Sequence, residues 1–439
     1  MAIIKAGAEP LAALGAFLKP FGELVVRSES RQALERYATG LLADLPRKTA
    51  SGMGRALPGI SGQRLQSFLT RAAWDSGEMD RLRIGQMVQG ASVGNGVLVV
   101  DDTGFAKKGR HSVGVARQYS GTLGRVDNCQ IVVSTHYVDS LYDWPVLARL
   151  YLPERWAKDR ARCRRAQVPK AARFQTKGQI ALQLIEEGRA AGVIPRAVLI
   201  DAGYGNQNPF LDGLEARQLA YGAGIGVAVR FRLAEAVEGD AGDPPAPPYA
   251  GKGRPRKAST LERRVPSLKA QTILEGLSAK AWRRVTWREG TKGPLVKQFA
   301  RVRVYRVGHR GKHLGSSGWL IGERPLSGHG GDRKQSLVWG LDELGLKEQV
   351  RLLHVRWIVE RFYQDAKGEL GLDDYEGRHW PGLHRHLALV LLAHCFLTLQ
   401  QRQDPAQRQP RPASLARGFP PGRPQKPGRP QTRPAGRIV

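Results

Sequence analysis

The chain has 439 residues, with 69 Lys and Arg against 39 Asp and Glu, a formal net charge of +30. That length allows two or three domains with a sizeable core. The charge excess predicts a polyanionic partner, nucleic acid ahead of an anionic membrane surface or ribosomal RNA.

Cys129, Cys163 and Cys395 lie far apart without a CxxC pair, which argues against a disulfide scaffold or a structural zinc site. The histidines show no metal-ligand spacing, and His384 and His386 point apart on a helix. No window reads as a transmembrane helix, and the N-terminal stretch is broken by Glu9 and Pro10. A soluble, cytoplasmic protein with no membrane partner is expected.

Residues 1–91 read as a helical N-terminal domain. Apolar residues recur at helical spacing through Leu11, Leu14, Phe17 and Leu18, then Leu34, Tyr37, Leu41 and Leu42, with Ser28 and Ser30 as candidate N-caps. Arg27, Arg31, Arg36, Arg47 and Lys48 suit this block to gripping DNA. Dimerisation or packing fits it equally well.

From 92 to 234 the pattern becomes α/β. Strands are predicted at 97–101, 129–138 and 144–151, a helix at 177–191, and strands at 197–201 and 224–231. The early strands suit an antiparallel run and the later ones parallel additions, giving one mixed sheet. The stretch from Asp159 to Lys177 is polar and Arg-rich. Residues 235–343 read as an insertion. It opens with a basic linker holding Pro244, Pro245, Pro247 and Pro248, followed by GKGRPRK. Gly253-Arg254-Pro255 has the form of a minor-groove AT-hook core, although a solvated basic loop explains it without any DNA contact. Strands at 299–307 and 317–322, with Trp282, Trp287 and Trp319, suggest a small core of its own. Helix returns at about 345–370 and 382–400, so 344–400 completes the α/β unit. The remainder, 401–439, is rich in Pro, Arg and Gln and reads as a disordered basic tail.

The residues that carry chemistry begin at Val97. The run Val97-Leu98-Val99-Val100 ends in Asp101 and Asp102, and Lys107, Lys108 and Arg110 follow. Such a run is a strand buried on both faces. Acids at its end, beside cations, suit a metal-bound site that faces a polyanion. The same pattern recurs at Val198-Leu199-Ile200-Asp201, followed by the turn Ala202-Gly203-Tyr204-Gly205. A third acid, Glu360, belongs to a later helix.

At roughly 100° per residue, Val355, Ile358, Phe362 and Ala366 share one arc of that helix, and Arg356, Glu360 and Lys367 share another. Taken alone, this second arc is equally a solvated face with an i,i+4 ion pair worth tenths of a kcal/mol. With Asp101 and Asp201 it completes the carboxylate set that two-metal phosphoryl transfer needs. Two like charges 4 Å apart at an effective dielectric near 20 repel by about 4 kcal/mol. Converging carboxylates therefore call for a cation, and hard oxygen ligands favour Mg²⁺, with Mn²⁺ as a substitute. Arg356 and Lys367, with Lys107 and Lys108 opposite, are placed to neutralise DNA phosphates.

Three separated segments make the chain recognisable: DDTGFAKKG…SVGVARQYSG, DAGYG at 201–205, and RWIVERFYQDAKGELGLDDYEGRHW at 356–380. Together they resemble bacterial insertion-sequence transposases of the DDE superfamily. More narrowly, they look like the insertion-sequence family numbered seven-zero-one, a relative of the group with a Tyr-Arg-Glu-Lys signature. The signature spacing falls on Leu353, Arg356, Glu360 and Lys367, with Leu353 in place of the tyrosine.

The resemblance implies a ribonuclease H-like fold, with the β-rich insertion before the glutamate helix. It implies Asp101, Asp201 and Glu360 as the catalytic, metal-holding acids. Its partner is double-stranded DNA, both element ends and target, met by a homodimer in the DNA complex. By the family pattern the first ligand is Asp101, but a strand apolar on both faces does not decide between it and Asp102. The alternatives are a ribonuclease H-like nuclease without strand transfer and a DNA-binding protein that has lost catalysis. A tyrosine recombinase is set aside, because no tyrosine follows Tyr375.

Overall fold

The computed structural model describes residues 11–92, 95–121, 124–242, 261–290, 293–307 and 314–403. The AT-hook-like segment and residues 404–439 of the basic tail lie outside the described residues.

Among the described residues five helices come first: α1 (Ala12–Gly22), α2 (Ser28–Leu42), α3 (Ala50–Ala56), α4 (Gly62–Thr70) and α5 (Ser76–Gly90). The last three start at short polar side chains that satisfy first-turn N–H groups. Thr49 caps α3, Ser61 caps α4 and Asp75 caps α5. The second helix departs from expectation. Ser28 is its first helical residue and Arg27 its N-cap, without a side-chain capping bond.

Strands β1 (Val97–Ala106), β2 (Ala116–Ser120), β3 (Arg125–Val138) and β4 (Asp143–Leu150) follow. Next come α6 (Glu154–Lys158), α7 (Arg160–Arg165), α8 (Lys177–Ala190), β5 (Ala197–Ile200), α9 (Ala202–Gly205), α10 (Asn208–Ala216) and β6 (Tyr221–Ile225). The single strand expected at 224–231 is two, because β7 (Arg230–Leu233) leaves β6 to pair elsewhere. Beyond it lie α11 (Ala234–Glu238), α12 (Leu261–Arg264), β8 (Leu268–Lys269), α13 (Ala270–Glu275), β9 (Arg283–Gly290), β10 (Gly293–Val307), β11 (Leu314–Arg324) and β12 (Lys334–Trp339). The described residues close with α14 (Leu346–Leu353), α15 (Trp357–Leu370) and α16 (Trp380–Gln403). The helix expected over 345–370 is broken by a 3₁₀ turn, His354–Arg356.

Among the described residues, all the strands join one mixed, 12-stranded sheet, ordered β2-β3-β1-β5-β6-β12-β11-β10-β7-β8, with β4 beside β3 and β9 beside β10. In its ribonuclease H-like half, β1 pairs antiparallel with β3 and parallel with β5, and β5 pairs parallel with β6. The strands after β7 do not close on a small core of their own. Here β12 pairs antiparallel with β6, so the insertion continues the same sheet and shares both of its apolar layers. Alternation divides those layers. Val97 and Val99 face the layer that holds α15, whereas Leu98 and Val100 face the layer that holds α8.

By length and mean hydropathy the last helix could cross a membrane, contrary to the sequence expectation, but 78% of its apolar window is buried inside the protein. It runs against β4, α5, α2 and α4, so the N-terminal helices share its core. His386 of α16 fixes that packing. Its ring meets the Tyr37 hydroxyl at 2.8 Å and the Gly371 carbonyl at 3.0 Å, and burial pushes it down to about 4.

Candidate active site

Parallel pairing brings the two aspartates together. The β1–β5 register runs Val97↔Ala197 to Val100↔Ile200, so Asp101, still within β1, and Asp201, the first residue after β5, come next along it. In-register neighbours on parallel strands point to the same face, and their Cα atoms lie about 4.8 Å apart. That face belongs to α15. Asp201 also caps the short α9, accepting from the Tyr204 N–H on Oδ1 at 3.2 Å.

The acids meet Glu360 through a guanidinium. Arg356 Nη1 lies 3.4 Å from Asp101 Oδ2, and Nη2 lies 3.0 Å from Glu360 Oε1. The Asp101 side chain is 15% exposed and that of Glu360 62%, so the glutamate stands at the rim. Among the described residues, no group of three or more His, Cys, Asp or Glu side chains is gathered closely enough to hold a metal ion. Burial first, and then the Asp201 charge, lift the Asp101 carboxyl to about 7, against the pull of Arg356.

The predicted cations divide by surroundings. Lys107 Nζ donates to the Tyr375 carbonyl at 2.7 Å and Lys367 Nζ to the Gly104 carbonyl at 3.1 Å. Burial lowers both lysines. Lys108 is exposed. Thus Lys367 ties α15 to β1, and Lys107 ties the loop after β1 to the loop after α15.

Asp102 points to the other face of β1. Its carboxylate receives Lys177 Nζ at 3.0 and 3.1 Å and the Tyr204 hydroxyl at 3.2 Å. Sequence reasoning missed this pair, and it missed Tyr363. The Tyr363 hydroxyl shares a 2.7 Å hydrogen bond with Ser134, the residue opposite Asp101 on β3. Burial and the Asp101 charge hold the Tyr363 phenol well above its ordinary value, so it stays protonated beside the acids. Its place three residues after Glu360, on nearly the same helix face, was the available signal.

A family described as DDE superfamily endonuclease matches residues 17–294, which include Asp101 and Asp201. The chain belongs to the DDE superfamily of endonucleases. Glu360 lies beyond the matched residues of this DDE chain. One curated relative, named "Probable transposase for insertion sequence element IS701", comes from Microchaete diplosiphon. It is 30% identical over 193 residues, 44% of this chain and 48% of that protein. The chain thus spans about half the length of the curated relative it matches.

Proposed function

We propose that this DDE endonuclease is the transposase of an insertion sequence: it binds the element's ends, cuts there, and joins them to target DNA. The observation that carries the reading is the in-register pairing of β1 with β5, with Asp101 and Asp201 side by side below Arg356 and Glu360. The likeness to the IS701 relative supports transposition over other uses of the family's chemistry.

The donor set fits a hard divalent cation, Mg²⁺ or Mn²⁺. It consists of carboxylate oxygens, and Asp101 is lifted by burial first and then by the Asp201 charge, both of which a bound cation would offset. Asp101 and Asp201 would hold it, with Glu360 joining them from the rim. When bound, such ions activate an attacking water or DNA 3′-OH and stabilise the departing 3′ oxygen. The protein's own groups act around that centre. Arg356 balances the acids and, with the exposed Lys108, meets phosphate oxygens. Lys107 and Lys367 add their charge at the edge of the DNA while anchoring the loops beside β1. Two ends must be cut and joined, so two chains act together in the DNA complex. A cytoplasmic, DNA-associated protein follows from this activity.

Asp101→Asn, Asp201→Asn and Glu360→Gln should each abolish cleavage of labelled element ends and leave end binding nearly unchanged. Each keeps the side-chain shape and removes the charge that holds a metal. Cleavage by Asp101→Asn at the wild-type rate would sink the scheme. A target plasmid added to the same assay separates a transposase, which yields joined products, from a nuclease, which yields cut ends alone.

A further inference from the structure

The DDE reading uses Asp101 and Asp201 but leaves the adjacent Asp102 without a part. Asp102 lies on the β1 face opposite Asp101, turned away from α15 and toward α8 and α9. Its two oxygens receive Lys177 Nζ almost symmetrically, at 3.0 and 3.1 Å, so its charge already has a partner. Oδ2 also accepts from the Tyr204 hydroxyl at 3.2 Å. Tyr204 is 2% exposed, and its ring lies against Phe210 at 5.5 Å. Through its main chain the same tyrosine donates to Asp201 Oδ1 at 3.2 Å. Tyr204 therefore holds one aspartate by its side chain and the other by its backbone.

The surroundings leave this turn little freedom. Lys177 opens α8, whose start is fixed by a reciprocal bond pair between Thr176 and Gln179. On the far side the turn abuts β6. A Cβ at Gly205 would meet the Gly224 carbonyl oxygen at 2.0 Å, so only glycine allows this approach.

We propose that Asp102 is a positioning residue. With Lys177 it fixes the Tyr204 hydroxyl, and through Tyr204 it sets the Asp201 carboxylate beside Asp101. The inference rests on the reading of Asp101 and Asp201 as the metal-holding pair. Hydrogen-bond partners behind a metal ligand commonly change metal affinity by about 10–100-fold. The adjacent aspartates thus divide the work, one facing the ion and the other orienting the ion's second ligand.

The test uses the full chain and Mn²⁺. Mn²⁺ binding is measured by calorimetric titration without DNA, and cleavage of labelled ends is followed across Mn²⁺ concentrations. Asp102→Asn and Tyr204→Phe should each raise the half-saturating Mn²⁺ about tenfold, with cleavage recovering as Mn²⁺ is added. The double variant should be no worse than the singles, because each breaks the same link. Lys177→Met should shift Mn²⁺ in the same direction, and it carries the test if substitution of the buried tyrosine prevents folding. Unshifted half-saturation in folded Asp102→Asn and Lys177→Met would overturn the assignment. So would loss of cleavage by folded Asp102→Asn at every Mn²⁺ concentration, because Asp102 would then itself be a ligand. Asp101→Asn is the separate control. Wild-type Mn²⁺ binding and cleavage by that variant would strike at the metal-pair reading rather than at the role of Asp102.

Discussion

Asp101 holds a charge where the fold disfavours one. Burial and the Asp201 carboxylate lift it to about 7, and Arg356 offsets them only in part. In the unfolded chain the same carboxyl titrates near its ordinary value of about 3.9. An acid raised on folding binds its proton more tightly in the native state. Its contribution to stability is therefore fullest below about pH 4 and declines as the pH rises through about 7. Asp101→Asn is neutral throughout, so it should make the metal-free protein more stable than wild type at pH 8. At pH 4 the two should unfold nearly alike. A shift of about three pH units bounds the gain at roughly 4 kcal/mol. Urea unfolding at both values checks this, and equal midpoints at pH 8 would mean that burial and the Asp201 charge impose no net penalty on the ionised acid.

The glutamate helix depends on how it ends. Gly371 follows α15 with φ of +64°, a left-handed conformation that glycine adopts without strain. A Cβ there would also meet Lys48 Cβ at 2.7 Å. Gly371→Ala should destabilise the protein by more than about 1 kcal/mol, read as a lower urea midpoint. An unchanged midpoint would show that the helix end can relax. Elements of this kind were partly legible in the sequence. The apolar runs announced β1 and β5, and Asp101 and Asp201 stood out because each terminates such a run. The break at His354–Arg356 had no local signal, because it depends on partners distant in sequence. His354 stacks on Trp287 at 4.0 Å and meets Glu323 at 3.2 Å. Short strands such as β12 exist because β6 and β11 flank them, which no six-residue window reveals. Lys177 and Tyr204 were hidden for the same reason, lying 75 and 102 residues from the Asp102 they contact.

For the whole molecule, the proposed function makes the net charge of +30 the property that would govern how DNA is approached. Arg408 to Arg437 contribute cations beyond α16, spaced among prolines. Phosphate contacts position a protein on DNA without reading its sequence. Truncation after Gln403 should therefore flatten the slope of log affinity against log salt while preserving the preference for element ends over random duplex. Titrations at several salt concentrations on both duplexes measure the two quantities, and a collapsed preference would assign sequence reading to the tail. The continuous sheet has a consequence for anyone who would trim the protein to a minimal nuclease. Removing everything between β6 and α14 would not lift out a cassette. It would strip β12 from Tyr221–Ile225 and leave the β6 ladder bare, an open edge of the kind that templates aggregation between chains. Beside that edge runs β5, which leads directly into Asp201. A shortened chain would thus lose solubility at the strand beside the one that leads into Asp201, unless the new border were first blunted with charge or proline.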